Sequence, residues 1–338
     1  MELYEYARSE VMSGKKILYV HGFASSGQSG TVRTIATLLS EAEIIAPDLP
    51  VRPEEALDLL KKICSEQVPD LIIGTSMGGM YAEQLYGFDR ILVNPAFSLA
   101  DTILKNNGLG RQDFHSHRQD GQSSFLVTKG LLEEFREASG NCFDEQSKDP
   151  DEQSRVYGLF GREDHLVDTF GIFAGHYHNA IRFNGEHYLN DRTFLHSVLP
   201  VIQRIDDKQQ NRKKPVVFIT LDDTLIRKSD GEPAEFAVSV LNNLSRHYDI
   251  YALIEAGHYD PAKYSSSIEW LDKHIDVLLW NRVVSSNHKD LLMGDYLVDA
   301  YPRVNGGEDF VGTVIEFGSE HFKTWLDVEN YFTLLGGQ

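Results

Sequence analysis

A serine framed as Gly74-Thr75-Ser76-Met77-Gly78 follows the apolar run Leu71-Ile72-Ile73 and precedes a stretch with helical spacing from about 78 to 86. The pattern G-x-S-x-G between a buried strand and a helix is that of a nucleophile elbow, in which flanking glycines let the backbone fold back while the serine projects from the sheet's rim. The bare pattern is as often a chance turn; the strand before it and the helix after it make Ser76 a candidate nucleophile. A serine hydroxyl is a poor nucleophile at neutral pH. It needs a histidine to take its proton and a carboxylate to hold that histidine's tautomer. On this kind of sheet the chain order is serine, acid, histidine. Asp164, in Gly161-Arg162-Glu163-Asp164 after the apolar run 156–160, and His187, in Gly185-Glu186-His187 after the run 181–183, fit that order. Asp168 is the alternative acid, although capping the helix that follows is its more ordinary role.

The chemistry is acyl transfer. Attack on an ester or thioester carbonyl gives a tetrahedral oxyanion that needs preorganised donors. The amides of Met77, next after the serine, and of Phe23, in His21-Gly22-Phe23 after the first strand, are the candidates, with Ser25 and Ser26 bracing that loop. Among the 13 histidines, His115 and His117 flank Ser116, and His176 and His178 flank Tyr177. No H-x-x-x-H or H-E-x-x-H spacing accompanies them, so they read as solvated loop residues, and neither a metal nor a cofactor is implied for this half.

These residues need a sheet to carry them. Apolar runs at 17–20, 44–46, 71–73 and 91–93 alternate with helical spacing over 31–40, 53–64 and 78–86. Buried strands separated by amphipathic helices predict an α/β fold with a largely parallel sheet covered on both faces. After Pro95 the rhythm breaks into a polar stretch running to about Arg155, with one helical patch at 131–138; it reads as an excursion over the sheet's edge. The rhythm resumes at 156–160, 168–174 and 181–183 and closes with a helix over 191–205. Residues 206–214 are charged and without apolar period, which predicts a linker between domains at 1–205 and 215–338. Beyond it a second α/β pattern runs through 215–219, 250–254, a helix passing Trp270, and apolar runs at 277–279, 296–298 and 314–317.

Bulk properties narrow the partners. A chain of 338 residues is long for one core, which agrees with two domains. The formal net charge of −19 repels phosphate backbones and anionic lipid, so a small-molecule substrate is expected rather than nucleic acid or membrane. Cys64 and Cys142 stand alone, as in a reducing cytoplasm. The first residues carry Glu2, Glu5 and Glu10 where a signal peptide needs a basic start, and a cytoplasmic location is expected.

The segments Tyr19-Val20-His21-Gly22-Phe23-Ala24-Ser25-Ser26, Gly74-Thr75-Ser76-Met77-Gly78-Gly79 and Val93-Asn94-Pro95-Ala96 resemble the bacterial YqiA-like esterases over residues 15–205. The resemblance implies an α/β-hydrolase that splits acyl esters and acyl-CoA thioesters. Gly27 departs from the proline common after the paired serines, and 99–154 diverges. Over about 214–335 the chain resembles the deoxyribonucleotidase-like branch of the haloacid-dehalogenase superfamily. The match rests on residues 218–225, on Lys289 with Gly294-Asp295-Tyr296-Leu297-Val298-Asp299, on Tyr301-Pro302-Arg303, on Glu308-Asp309-Phe310 and on Trp325-Leu326-Asp327-Val328. Here Thr220 stands where that family has its attacking aspartate, Asp222 keeps the acid/base place, Glu255 replaces a phosphate-binding hydroxyl, and Ala300 follows Asp299. What this implies is a degenerate Rossmann-like domain with at most a vestigial cation site at Asp222, Asp295 and Asp299. Such a domain would be retained for binding, for packing on the esterase, or for oligomerisation through this half. The function expected is a serine esterase or thioesterase; the rivals are a peptidase or lactonase of the same fold, and a binding or regulatory protein without catalysis.

Overall fold

The computed structural model describes residues 3–256 and 260–336. It divides into two compact units, Met1–Gln210 and Asn211–Gln338. In the first, β1 (Lys16–Val20), β2 (Glu43–Ile45), β3 (Leu71–Thr75) and β4 (Arg90–Val93) alternate with α1 (Gly30–Leu38), α2 (Pro53–Gln67) and α3 (Met77–Glu83). Then come α4 (Leu99–Asn106), the strands β5 (Gly110–Asp113) and β6 (Ser124–Val127), α5 (Lys129–Gly140) and α6 (Pro150–Arg155). The unit closes with β7 (Val156–Gly161), α7 (Phe170–Ala174), β8 (Asn179–Phe183), the short α8 (Asp191–Thr193) and α9 (Leu199–Gln209).

Six strands form one parallel sheet in the order β2-β1-β3-β4-β7-β8. The four residues of β4 and four of the five in both β1 and β3 are buried consecutively, because helices cover both faces and neither side of these strands meets water. From β1 the chain builds outward to β2 on one side and to β3 on the other. The carboxyl ends of β1 and β3 therefore flank the point where strand order reverses, the crevice in which open α/β sheets bind ligands.

Two expectations need correction. Segment 99–154 is not an excursion over the sheet's edge: Ile103, Val127, Leu131, Leu132, Phe135 and Ala138 join the main core with Leu18, Ile72 and Leu92. Leu131, Leu132, Phe135 and Ala138 lie on α5, the one helical patch read from the sequence, whereas Ile103 and Val127 come from a short helix and a hairpin strand that no long period marks. The assumed linker is also shorter, since α9 runs on to Gln209 and Asp206 is fully buried, bonded to Lys15 at 2.7 Å. A π turn at Phe194–Val198 precedes α9. Pro200, which lacks an N–H to give His196, accounts for it.

The second unit is a five-stranded parallel sheet, order β11-β10-β9-β12-β13, of β9 (Val216–Thr220), β10 (Asp249–Ile254), β11 (Val283–Ser285), β12 (Tyr296–Asp299) and β13 (Thr313–Glu316). The helices α10 (Ala237–Leu244), α11 (Ala262–His274) and α12 (Trp325–Leu334) accompany it, with Trp325 fully buried in its core. The apolar run at 277–279 is part of a 3-10 turn, Asp276–Leu279, and the edge strand lies a few residues later at β11. Three consecutive buried apolar residues suit one turn against a core as well as a strand, and periodicity cannot separate the two at that length.

Candidate active site

Ser76 sits between β3 and α3 at φ 54°, ψ −117°. A side chain at positive φ is strained, and here the surroundings hold it: Ser76 N donates to Val93 O at 2.9 Å and Ser76 O accepts from Ala96 N at 3.0 Å. The flanking glycine Gly78 is required by contact, since a Cβ there would stand 2.0 Å from Val20 O. The start of α3 thus packs directly on the end of β1. A Cβ on Gly22 would come within 3.3 Å of Ser76 Cβ, which sets the loop after β1 against the serine.

His187, four residues after β8, points Nε2 at Ser76 Oγ across 3.1 Å and Nδ1 at Asp164 Oδ2 across 2.7 Å. An ionised carboxylate can only accept, so the proton belongs on Nδ1 and the Nε2 lone pair faces the serine hydroxyl. Asp164 Oδ1 accepts from Leu166 N at 2.8 Å and Val167 N at 3.0 Å, which locks the acid's orientation. Burial pushes this carboxyl up, but the bond from His187 and those two amides outweigh it and hold Asp164 below the usual carboxylate range. Ser76, Asp164 and His187, expected from sequence, are therefore brought together.

Asp168 is not. It is exposed, has no hydrogen bond to His187 among the described residues, and does not cap α7 either, since Thr169 is the N-cap residue. Thr169 instead donates to Pro95 O at 2.6 Å. Met77 opens α3, where the first amides have no helical acceptor, and Phe23 follows Gly22 beside the serine; neither amide donates to a described residue.

The loop carrying Phe23 is built on a buried histidine. His21 Nε2 accepts from Leu49 N at 3.0 Å, so Nδ1 carries the proton and donates to Gly22 O at 2.9 Å. Burial, opposed by the bond to Gly22, pushes the His21 pKa down to about 4, and the ring stays neutral. Ser26 braces the loop, donating to His117 O at 2.6 Å and bonding Ser116 Oγ at 2.9 Å. Asp48 accepts from Gly27 N at 2.8 Å and Gln119 N at 2.5 Å.

Ser76 and His187 open into a cavity of about 500 Å³. Phe23, Leu99, Ile103 and Leu166 give it apolar walls, and His115 and Ser116 border it on the polar side. Leu99, Ile103, His115 and Ser116 belong to the divergent segment, so this part of the cavity wall is one that no motif marks. Of the other loop histidines, His117 bonds Gln28 at 3.1 Å and His176 stacks on Phe143 with centroids 4.3 Å apart.

In the second unit, Thr220 at the end of β9 donates to Asp299 Oδ1 at 3.0 Å. Fully buried Lys289 meets Asp299 at 2.5 Å and Glu255 at 2.9 Å. Asp222 pairs with Lys263 at 2.5 Å. The expected trio of Asp222, Asp295 and Asp299 is not a cluster. Asp295 precedes β12 and accepts from Val216 N at the start of β9, whereas Asp222 and Asp299 lie at the opposite, carboxyl edge of the same strands. No group of three His, Cys, Asp or Glu side chains suited to a cation occurs among the described residues.

The strand order of the first unit, with a serine elbow after β3, defines an α/β-hydrolase fold, and the second unit is a separate α/β domain. The chain belongs to UPF0227, an uncharacterised protein family whose model matches residues 16–192, over half its length. The rest is similar to proteins provisionally named 5'(3')-deoxyribonucleotidases. One from Vibrio phage KVP40 is 25% identical over 165 residues, covering 41% of this chain and 96% of that protein. Another from Staphylococcus aureus is 33% identical over 106 residues, 29% of this chain, and the chain spans only 57% of its length. Among solved structures, Est1E from Butyrivibrio proteoclasticus aligns with a TM-score of 0.42 at 13% identity, over 60% of this chain and 90% of that one.

Proposed function

We propose that the first unit is a serine hydrolase cleaving carboxylic esters or acyl thioesters of small molecules. Ser76 Oγ attacks the acyl carbonyl as His187 Nε2 takes its proton, and Asp164 supports the imidazolium that forms. The Met77 and Phe23 amides receive the oxyanion. Collapse expels the alcohol or thiol, which takes the proton back from His187 and leaves an acyl-serine. Water, deprotonated by the same histidine, then releases the carboxylic acid and restores Ser76. The observation that carries this reading is the continuous line Asp164–His187–Ser76, at 2.7 and 3.1 Å, ending on an elbow serine at φ 54° that borders a cavity.

The second unit, in the same reading, does not transfer phosphoryl groups and serves binding, packing or oligomerisation. A neutral threonine at position 220 offers neither a strong nucleophile nor a metal-holding carboxylate, and Lys289 is already engaged by Asp299 and Glu255. A cytoplasmic location belongs to this reading too.

The test is a panel of acyl esters and acyl-CoA thioesters of graded chain length, given to the parent and to Ser76→Ala. Hydrolysis by the parent that vanishes in the folded variant supports the reading. A parent inactive across the panel, or a Ser76→Ala protein at the parental rate, overturns it.

A further inference from the structure

Asn94 follows β4, between the strand that leads to the serine and the strand that leads to the acid. It is 1% exposed and adopts φ 46°, a left-handed conformation that asparagine tolerates better than most residues but does not need for its own sake. Its side chain uses both ends of the primary amide, with three hydrogen bonds to two different loops. Oδ1 accepts from Gly161 N at 2.8 Å, where β7 gives way to the loop of Asp164. Nδ2 donates to Glu186 O and to His187 O, each at 3.1 Å. Its neighbours hold the third member, since Val93 O and Ala96 N grip the Ser76 peptide from either side.

We propose that Asn94 is the positioning residue of the Ser76–His187–Asp164 line, a clip that fixes the acid loop, the backbone of the base and the serine elbow to one point. The proposal rests on the hydrolase reading. Three loops from three strands must agree within a fraction of an ångström. Arg162 N and Glu163 N donate to Phe183 O and Gly185 O, which ties the acid loop to the base loop as far as Gly185. Asn94 carries that hold on to Glu186 and His187. The carbonyl that Asn94 binds belongs to His187 itself, so its loss frees the peptide from which the imidazole emerges. A purely structural role would satisfy strand-end carbonyls and affect stability alone. A positioning role predicts a change in kcat and in the ionisation of the base.

Asn94→Gly keeps the positive φ without strain and deletes all three bonds. Asn94→Asp keeps the shape and the acceptor, deletes both donors, and sets a negative charge against the base. Both are measured beside the parent and Ser76→Ala, well below their melting temperatures, for kcat, KM and the acid limb of kcat/KM. For Asn94→Gly kcat should fall at least ten-fold, towards the roughly hundred-fold cost of a 1 Å misplacement, with KM little changed. Its acid limb should move to lower pH, because a base loosened from Asp164 holds its proton less firmly. In Asn94→Asp kcat should fall too, but the acid limb should move to higher pH, since added negative charge favours the imidazolium. If Ser76→Ala is inactive while both Asn94 variants keep the parental kcat and acid limb, the clip is overturned, whatever their melting temperatures. If Ser76→Ala keeps the parental rate, it is the hydrolase reading that fails.

Discussion

Within the site, one carboxylate is engaged and its neighbour in sequence is not. The Asp164 side chain is almost fully buried, with His187 on one oxygen and two amides on the other, whereas Asp168 is exposed. Asp164→Asn should lower kcat by about the four orders of magnitude that follow when a triad acid is replaced by an amide and the tautomer is lost. Asp168→Asn should leave kcat unchanged; equal losses in steady-state assays of the two would remove Asp164 from its role. The sequence ranked Asp164 first by chain order and kept Asp168 as the alternative; the geometry that favours the same ranking is a 2.7 Å contact that exists only after β7 and β8 have paired. Asn94 is the harder case: it stood inside a quoted motif, but its role depends on partners 67, 92 and 93 residues away.

Among the elements, the loop after β1 carries a titration of its own. His21 falls from about 6.5 in the unfolded chain to about 4 when folded, so between those values the unfolded state binds the extra proton. Stability is complete above pH 6.5 and is lost as pH falls towards 4, by about 3 kcal/mol in that window. The depressed Asp164 acts the same way lower down, its contribution being lost as pH falls through its folded value. Chemical denaturation at pH 7 and pH 4.5 should show that loss in the parent, and a smaller one in a destabilised His21→Gln. An equal pH slope in both proteins would refute the assignment. The loop and its strand were legible because four buried residues in a row end in His21-Gly22. In the segment 99–154 only the helical patch that forms α5 was legible, because the rest of its contribution to core and cavity is split among pieces too short to show a period.

Across the whole molecule, two α/β units differ in the side chains at their carboxyl edges. The lysine and aspartates of the second resemble a phosphatase pattern, but buried Lys289 is engaged by Asp299 and Glu255, and Asp295 lies at the opposite edge. The 338-residue chain should release no phosphate from deoxyribonucleoside monophosphates with magnesium present, and Thr220→Asp should not restore release while Glu255 remains. Turnover by the parent that is lost in Asp222→Asn would make this a two-enzyme chain. Thr220 at the place where the resembled family has an aspartate was plain in the sequence; the division of the three aspartates between two edges of one sheet was not, since Asp295 and Asp299 bracket a single strand.

The central claim is that Ser76 is an activated nucleophile, and covalent labelling reads it most directly. The full chain is treated with a fluorophosphonate probe and the modified residue located by peptide mass spectrometry. One equivalent should attach at Ser76, none in Ser76→Ala, and attachment should slow by orders of magnitude in His187→Ala, because the triad members act as a unit. A folded parent that remains unlabelled, or a label placed elsewhere and indifferent to His187, would contradict the account.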